Sequence, residues 1–161
     1  ELCSRITMKM EEYTIRKAIG SDLDAIMEIE TDSFTVNNDN FSRRELKYLI
    51  EKSKVGCFVL EMGGEVLAYT SLLARVNASN LRIYSLAVHS KARGKKLGEA
   101  LLNFGIQYAK ENGFASATLE VKVNNKPAIS LYQKNGFETF SIKENYYHDG
   151  SNAFCMRRRM E

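Results

Sequence analysis

Two residues in this 161-residue chain have the type and setting for proton transfer. Glu120 lies between Leu119 and Val121 in the run Ala-Thr-Leu-Glu-Val-Lys-Val, and Tyr132 follows twelve residues later, near Ile129, Leu131 and Phe137. Burial between apolar neighbours would raise the pKa of Glu120 and suit it to accept a proton. An outward carboxylate alternating with buried neighbours is the competing reading, and for Tyr132 it is plain core packing. A second constellation is built to bind. Leu86-Ala-Val-His-Ser-Lys-Ala-Arg-Gly-Lys-Lys-Leu-Gly-Glu-Ala-Leu-Leu102 carries an apolar strand end through a basic, glycine-bearing turn into a helix. Gly94 and Gly98 permit close backbone approach, Arg93, Lys95 and Lys96 bring positive charge, and the unpaired amides that open the helix attract anions. The turn has neither G-x-G-x-x-G nor G-x-x-x-x-G-K-[ST] spacing, so it reads as a diphosphate cradle of another kind, against the alternative of a solvated turn with surface lysines.

Other chemistry finds little support. His89 and His148 are the only histidines and have no Cys or carboxylate at metal-ligand spacing, and no G-x-S-x-G elbow is present. Cys3, Cys57 and Cys155 are odd in number and lack C-x-x-C spacing, which predicts free thiols in a reducing, cytoplasmic setting. A net charge of +3, from 23 basic and 20 acidic residues, argues against direct nucleic-acid binding, and Arg157-Arg158-Arg159 is read as a solvated tail. No apolar run reaches the ~18 residues that a membrane span needs.

The elements that must position these residues follow from periodicity and caps. Residues 1–10 are expected to be a disordered or non-native terminus, and residues 11–161 a single domain of mixed α and β structure. Tyr13 to Lys17 alternates as a strand, and Gly20-Ser21-Asp22 caps a helix carrying Leu23, Ile26, Met27 and Phe34. The Asn-rich stretch Thr35 to Asn40 is a connector or a mobile loop lining a groove. Ser42-Arg-Arg-Glu45 has capping-box form and opens a short second helix. Gly63-Gly64 separates strands Val55 to Met62 and Glu65 to Val76 as a hairpin, and Leu81 to Val88 completes an antiparallel meander. A long helix runs from Leu97 to Asn112-Gly113 and leads to strand Ala115 to Val123, which is therefore parallel to its predecessor. If the two diverge, their free edges can hydrogen-bond an elongated ligand. Pro127 suits the first turn of a helix reaching Lys134. Phe137 to Tyr147 and Ala153 to Met160 are the last strands, with Tyr146 and Tyr147 placed in the former.

With these elements in place, the chain from Tyr13 to Met160 resembles the GCN5-related N-acetyltransferase (GNAT) superfamily. Arg93-Gly-Lys-Lys-Leu-Gly98 is similar to its acetyl-CoA pyrophosphate loop, Q/R-x-x-G-x-G/A, with Lys96 at the fourth position instead of glycine. Leu-Glu120-Val-Lys-Val-Asn-Asn125-Lys-Pro-Ala-Ile-Ser-Leu-Tyr132-Gln-Lys-Asn-Gly-Phe137 resembles the RimI-type protein Nα-acetyltransferases, as does Asn145-Tyr-Tyr-His-Asp-Gly150.

The resemblance implies a mixed, mostly antiparallel sheet of about seven strands with a central parallel unit and about four helices. It implies transfer of acetyl from acetyl-CoA to a primary amine, foremost the N-terminal α-amine of proteins, with small-molecule amines or lysine as the alternative acceptors and a non-catalytic acyl-CoA-binding module as a third reading. Glu120 would be the general base and Tyr132 the general acid. Leu86, Ala87, Val88, Arg93, Gly94, Lys95, Lys96, Leu97, Gly98, Asn125 and Tyr132 would hold the cofactor, and Phe34 and Tyr147 the acceptor. Peptide or nascent-chain N-termini, ribosomal ones included, would be the partners of a monomer or homodimer. The proline-bearing motif that such enzymes often carry after the first helix is missing from Ile29-Glu30-Thr-Asp-Ser-Phe34-Thr-Val-Asn-Asn, which leaves the first-residue pocket undetermined.

Overall fold

The computed structural model describes residues 12–34 and 41–161, and of Phe34 only the backbone. The readings of residues 1–10 and of the connector 35–40 lie outside the described residues. Seven strands, β1 (Tyr13–Lys17), β2 (Gly56–Met62), β3 (Glu65–Leu73), β4 (Asn80–Val88), β5 (Ser116–Lys122), β6 (Glu138–Lys143) and β7 (Ala153–Arg159), form one sheet in the order β1-β2-β3-β4-β5-β7-β6. All neighbours are antiparallel except β4 and β5. Four helices, α1 (Leu23–Phe34), α2 (Arg43–Glu51), α3 (Leu97–Glu111) and α4 (Lys126–Lys134), complete the described part. The expected architecture is the observed one.

Local chemistry accounts for most element ends. Ser42 and Glu45 exchange hydrogen bonds of 3.1 Å with each other's amides at the start of α2, the reciprocal cap that the sequence spacing predicts. Gly63 and Gly64 both have positive φ, which the tight β2-β3 turn demands. Asn125 caps α4 by accepting from the Ala128 amide, with a proline in the first turn.

The helices pack on opposite faces because neighbouring strand residues point to opposite sides. Ile26 and Ile29 of α1 and Leu46, Leu49 and Ile50 of α2 bury against Cys57, Val59, Tyr69 and Ala87. Leu102, Ile106 and Ala109 of α3 bury against Phe58, Leu72, Leu81 and Ile83. Full burial of each of the Val, Leu, Ile and Phe side chains among these contributes about 1.5–3 kcal/mol.

Two expectations are corrected. β6 ends at Lys143, so Tyr146 and Tyr147 sit in the following loop, where Asn145 adopts positive φ and its amide is tied to the Asn152 side chain. Arg157-Arg158-Arg159 is not a tail: it lies in β7, paired with Ser116, Ala117 and Thr118 of β5. Arg158 lies across Gly136 and donates to the Asn135 carbonyl that ends α4, so a basic run here is a strand laid between two others.

The parallel pairing that positions the site is short. β4 and β5 are paired only at Asn80, Leu81 and Arg82 against Ser116, Ala117 and Thr118. The Asn80 side chain locks that end through Thr118 and Ser116, each at 2.8 Å. Beyond it β4 runs on to Val88 and β5 to Lys122 without pairing. A bulge at Tyr84, between the partners Leu72–Ile83 and Ser71–Ser85, bends β4 where the strands part.

Candidate active site

A cleft of about 690 Å³ opens where the two strands separate. Ile83, Tyr84, Ser85 and Leu86 of β4 line one wall, and Leu119, Glu120, Val121 and Lys122 of β5 the other. α4 adds Tyr132 and its cap adds Asn125; the loop after β6 adds Tyr146, Tyr147 and His148; α1 and α2 add Glu30, Ser33 and Glu45. Of the residues expected to act on substrate or cofactor, Leu86, Glu120, Asn125, Tyr132 and Tyr147 therefore meet in one cavity. Phe34 closes α1, and its side chain lies outside the described residues.

The basic turn leaves the end of β4. Ser90–Ala92 forms a single 3-10 turn, Gly94 has φ of 83°, and Lys96 stands at the N-terminus of α3 with φ of 60° and no side-chain cap. The family pattern places glycine where Lys96 stands, and the left-handed backbone supplies the reason. Arg93, Gly94, Lys95 and Lys96 are exposed, whereas Leu97 is buried as the anchor of the turn. A Cβ at Gly94 would meet nothing within 4 Å, and one at Gly98 would meet Val88 and Leu86 only at ordinary contact distances. The space over Gly94 is thus left open by the protein itself, and Gly98 lies against the end of β4. An uncapped helix start, an open glycine, exposed cations and a free β4 edge fit a diphosphate with an extended amide-bearing arm. The turn is moored to α1, because Asp32 accepts from the Ser90 amide at 2.8 Å and its hydroxyl at 2.7 Å, and Glu28 lies 3.4 Å from His89 Nε2.

Glu120 is not the lone buried acid that its flanking residues suggest. Its side chain is 11% exposed, and Arg82 donates to Oε1 from Nε at 3.0 Å and from a terminal nitrogen at 2.7 Å. Lys143 Nζ stands 3.5 Å from Oε2. The Arg82 guanidinium also donates to the Tyr146 hydroxyl at 3.0 Å and lies over the Tyr84 ring, 4.8 Å from its centre; that ring is tilted against Phe41. Tyr84, at the bulge, is thus an aromatic spacer between Phe41, which precedes the cap of α2, and the Arg82–Glu120 pair. Oε1 is committed to Arg82, while Oε2 has only the more distant lysine.

Tyr132 packs edge-on to Phe137 at 6.2 Å, and burial pushes its phenol up to about 12. It therefore stays protonated across the neutral range, where it can give up a proton but not take one. Asn125 spends its side-chain oxygen on the α4 cap, which leaves its amide nitrogen for a ligand. Tyr147 carries the Lys122 ammonium 5.0 Å over its ring and has Tyr146 edge-on beside it.

Among the residues that sequence reasoning missed are Arg82, behind Glu120, and Glu30, Ser33 and Tyr84 on the cleft wall. Arg82 interrupts the apolar alternation of β4, a signal that was readable once β4 and β5 were known to be parallel and Glu120 lay on the adjacent strand. Glu30 falls within the apolar stripe of α1, four residues after Ile26, and is 1% exposed. A charge inside such a stripe is the signal. Tyr69 donates from its hydroxyl to Glu30, and the Phe41 amide donates to its other oxygen at 2.9 Å. Burial raises the Glu30 pKa, while both hydrogen bonds act in the opposite direction. Ser33 and Tyr84 carried no signal.

Residues 23–137 match the acetyltransferase (GNAT) family. The chain is 33% identical over 159 residues to an N-alpha-acetyltransferase of Sulfurisphaera tokodaii, covering 92% of this chain and 93% of that one. It is also 33% identical over 138 residues to a Bacillus subtilis protein provisionally named [ribosomal protein bS18]-alanine N-acetyltransferase, covering 84% and 87%. The crystal structure of the ribosomal-protein-S18-alanine N-acetyltransferase from Escherichia coli superposes with a TM-score of 0.83 at 26% identity, over 93% of this chain and 95% of that one.

Proposed function

The chain belongs to the acetyltransferase (GNAT) family and is an acetyl-CoA-dependent N-acetyltransferase of that type; on that premise we propose that its acceptor is the N-terminal α-amine of proteins. The observation that carries the reading is the cleft in which the diverged β4 edge, Glu120 and Tyr132 face one another, with β4 running on from it toward the basic turn. The names of two of the relatives, an N-alpha-acetyltransferase and a ribosomal-protein-alanine N-acetyltransferase, support the same acceptor.

Acetyl-CoA, when bound, supplies an activated acetyl thioester. The amides of Gly94 to Gly98 and the side chains of Arg93, Lys95 and Lys96 hold its diphosphate, and the free edge of β4 from Leu86 to Val88 holds the arm. Asn125 steadies that arm from the far wall. Amides along the free β4 edge face the place where carbonyl charge develops. Glu120 receives the amine's proton at Oε2, directly or through one water, while Arg82 keeps the carboxylate in place. Tyr132 gives its phenolic proton to the leaving sulfur.

The cost of making the nucleophile separates the acceptors. An α-amine titrates near 7.7–8.0 and a lysine near 10.4, so the neutral lysine costs roughly 3.5 kcal/mol more at neutral pH. The α-amine is thus the acceptor whose proton is the easier to remove. Peptides with a free N-terminus, each also supplied N-blocked with an internal lysine, test the reading. Acetylation of the free set supports it, and acetylation confined to the blocked set sinks it.

A further inference from the structure

We propose that Glu30 and Ser33, one helical turn apart on α1, form the subsite for the first side chain of the acceptor, and that this subsite selects a small hydroxyl, serine foremost. The inference rests on the α-amine reading above and deepens it.

Residues three apart on a helix share a face, and both of these line the cleft that holds Glu120 and Tyr132. Glu30 is fixed from two sides. One oxygen takes the Tyr69 hydroxyl and the other the Phe41 amide at 2.9 Å. Tyr69 is itself fully buried, and Ser85, which it also contacts, is hydrogen-bonded to Ser71 across the β3-β4 pair. Each carboxyl oxygen of Glu30 has one partner and room for a second. Spare capacity on a rigid, buried carboxylate beside a cleft is a recognition feature.

The Ser33 hydroxyl sharpens it. Among the described residues it is the one buried side-chain oxygen or nitrogen without a hydrogen-bond partner. A helical serine ordinarily satisfies itself on the carbonyl four residues earlier, and leaving a buried hydroxyl unpaired costs about 1–3 kcal/mol. An orphan donor-acceptor next to a carboxylate with free lone pairs is complementary to one group above others. A hydroxyl donates to Glu30 and accepts from Ser33, so both are satisfied at once. An ammonium or guanidinium donates only, and a methyl leaves the Ser33 hydroxyl unpaired. An acidic first residue meets Glu30 and Glu45 on the same wall. The reacting nitrogen itself is not the occupant, because a buried carboxylate against it would stabilise the ammonium that has to lose its proton.

The test compares kcat/KM, with acetyl-CoA as donor, for peptides identical beyond residue one and beginning with Ser, Ala, Asn or Lys, plus an N-blocked peptide bearing an internal lysine. The wild-type chain is expected to favour Ser over Ala by about tenfold, the worth of one well-made hydrogen bond in a buried site. In Ser33→Ala that ratio collapses toward one through KM, and the melting temperature holds or rises because the orphan is gone. Glu30→Gln also flattens the ratio, and Ser33→Ala carries the test if Glu30→Gln fails to fold. Equal or better turnover of the Ala, Asn or Lys peptide, or a Ser-to-Ala ratio that survives Ser33→Ala, overturns the subsite while leaving the α-amine reading intact. Acetylation of the blocked peptide alone overturns both.

Discussion

The two sides of the cleft are made of different material. On the donor side, from Leu86 to Gly98, the groups aimed at a ligand are backbone amides, two glycines and exposed cations, and the only deeply buried anchors there are Ala87, Ala92 and Leu97. On the acceptor side, the polar group of α1 that lines the cleft deepest, Glu30, is a side chain sunk into the protein, held by the Tyr69 hydroxyl and the Phe41 amide, and Asp22, in the turn just before α1, is likewise buried and held by Arg16. A site built from backbone loses affinity when a contact is removed but keeps its fold. A site built from buried polar side chains loses fold stability first, because each lost partner leaves an unpaired group behind.

The largest effect is expected between the two sides. Glu120→Gln should lower kcat about 100-fold while the Kd for acetyl-CoA holds, since the residue sits on β5 and away from the turn. Turnover near wild type would remove Glu120 from proton transfer and leave it as the counter-ion of Arg82. On the acceptor side, Tyr69→Phe takes one donor from the buried Glu30 and should cost about 1–3 kcal/mol in urea unfolding. An unchanged midpoint would mean that Glu30 finds another partner and that this side is as tolerant as the other.

Smaller effects follow on both sides. Arg93→Ala should weaken acetyl-CoA binding about fivefold, more at low salt than at high, with no change in melting temperature. A fall in stability would show that the donor turn is not the free-standing backbone device described. Asp22 gives the pH dependence. The hydrogen bonds from Arg16, at 2.8 and 3.0 Å, hold its carboxyl below the usual 3.8, partly opposed by burial. The stability it contributes is therefore present above pH 3.8 and lost as the pH falls through its folded value. Asp22→Asn should cost about 1 kcal/mol at pH 7, and the difference from wild type should shrink in acid below pH 3.8; a gap independent of pH would assign the cost to packing. Lys96→Gly should be the mildest, stabilising by about 0.5 kcal/mol as the left-handed strain is relieved against the extra freedom of glycine in the unfolded chain.

What was legible in the sequence follows the same division. The capping box at Ser42 and Glu45, the Gly63-Gly64 turn, the Pro127 helix start and the spacing of the basic turn are all local, decided within a few residues by dihedral preference and hydrogen-bond reach, and the structure repeats them. Periodicity likewise determined which helix faces are buried, and the family pattern determined the sheet. Tertiary structure decided what depends on neighbours from elsewhere in the chain. It made Arg157-Arg158-Arg159 a strand by laying β5 and β6 on either side, and it gave Glu120 a guanidinium from β4 where its flanking residues promised only apolar burial. It also put Tyr69 and the Phe41 amide on Glu30, and left Ser33 with none. The charge state and partners of a side chain depend on which distant groups the fold brings within about 3 Å, and a one-dimensional pattern does not encode that distance. The sequence thus determined the shape of the basic turn, and the packing of α1 against the sheet decided which side chains face the cleft.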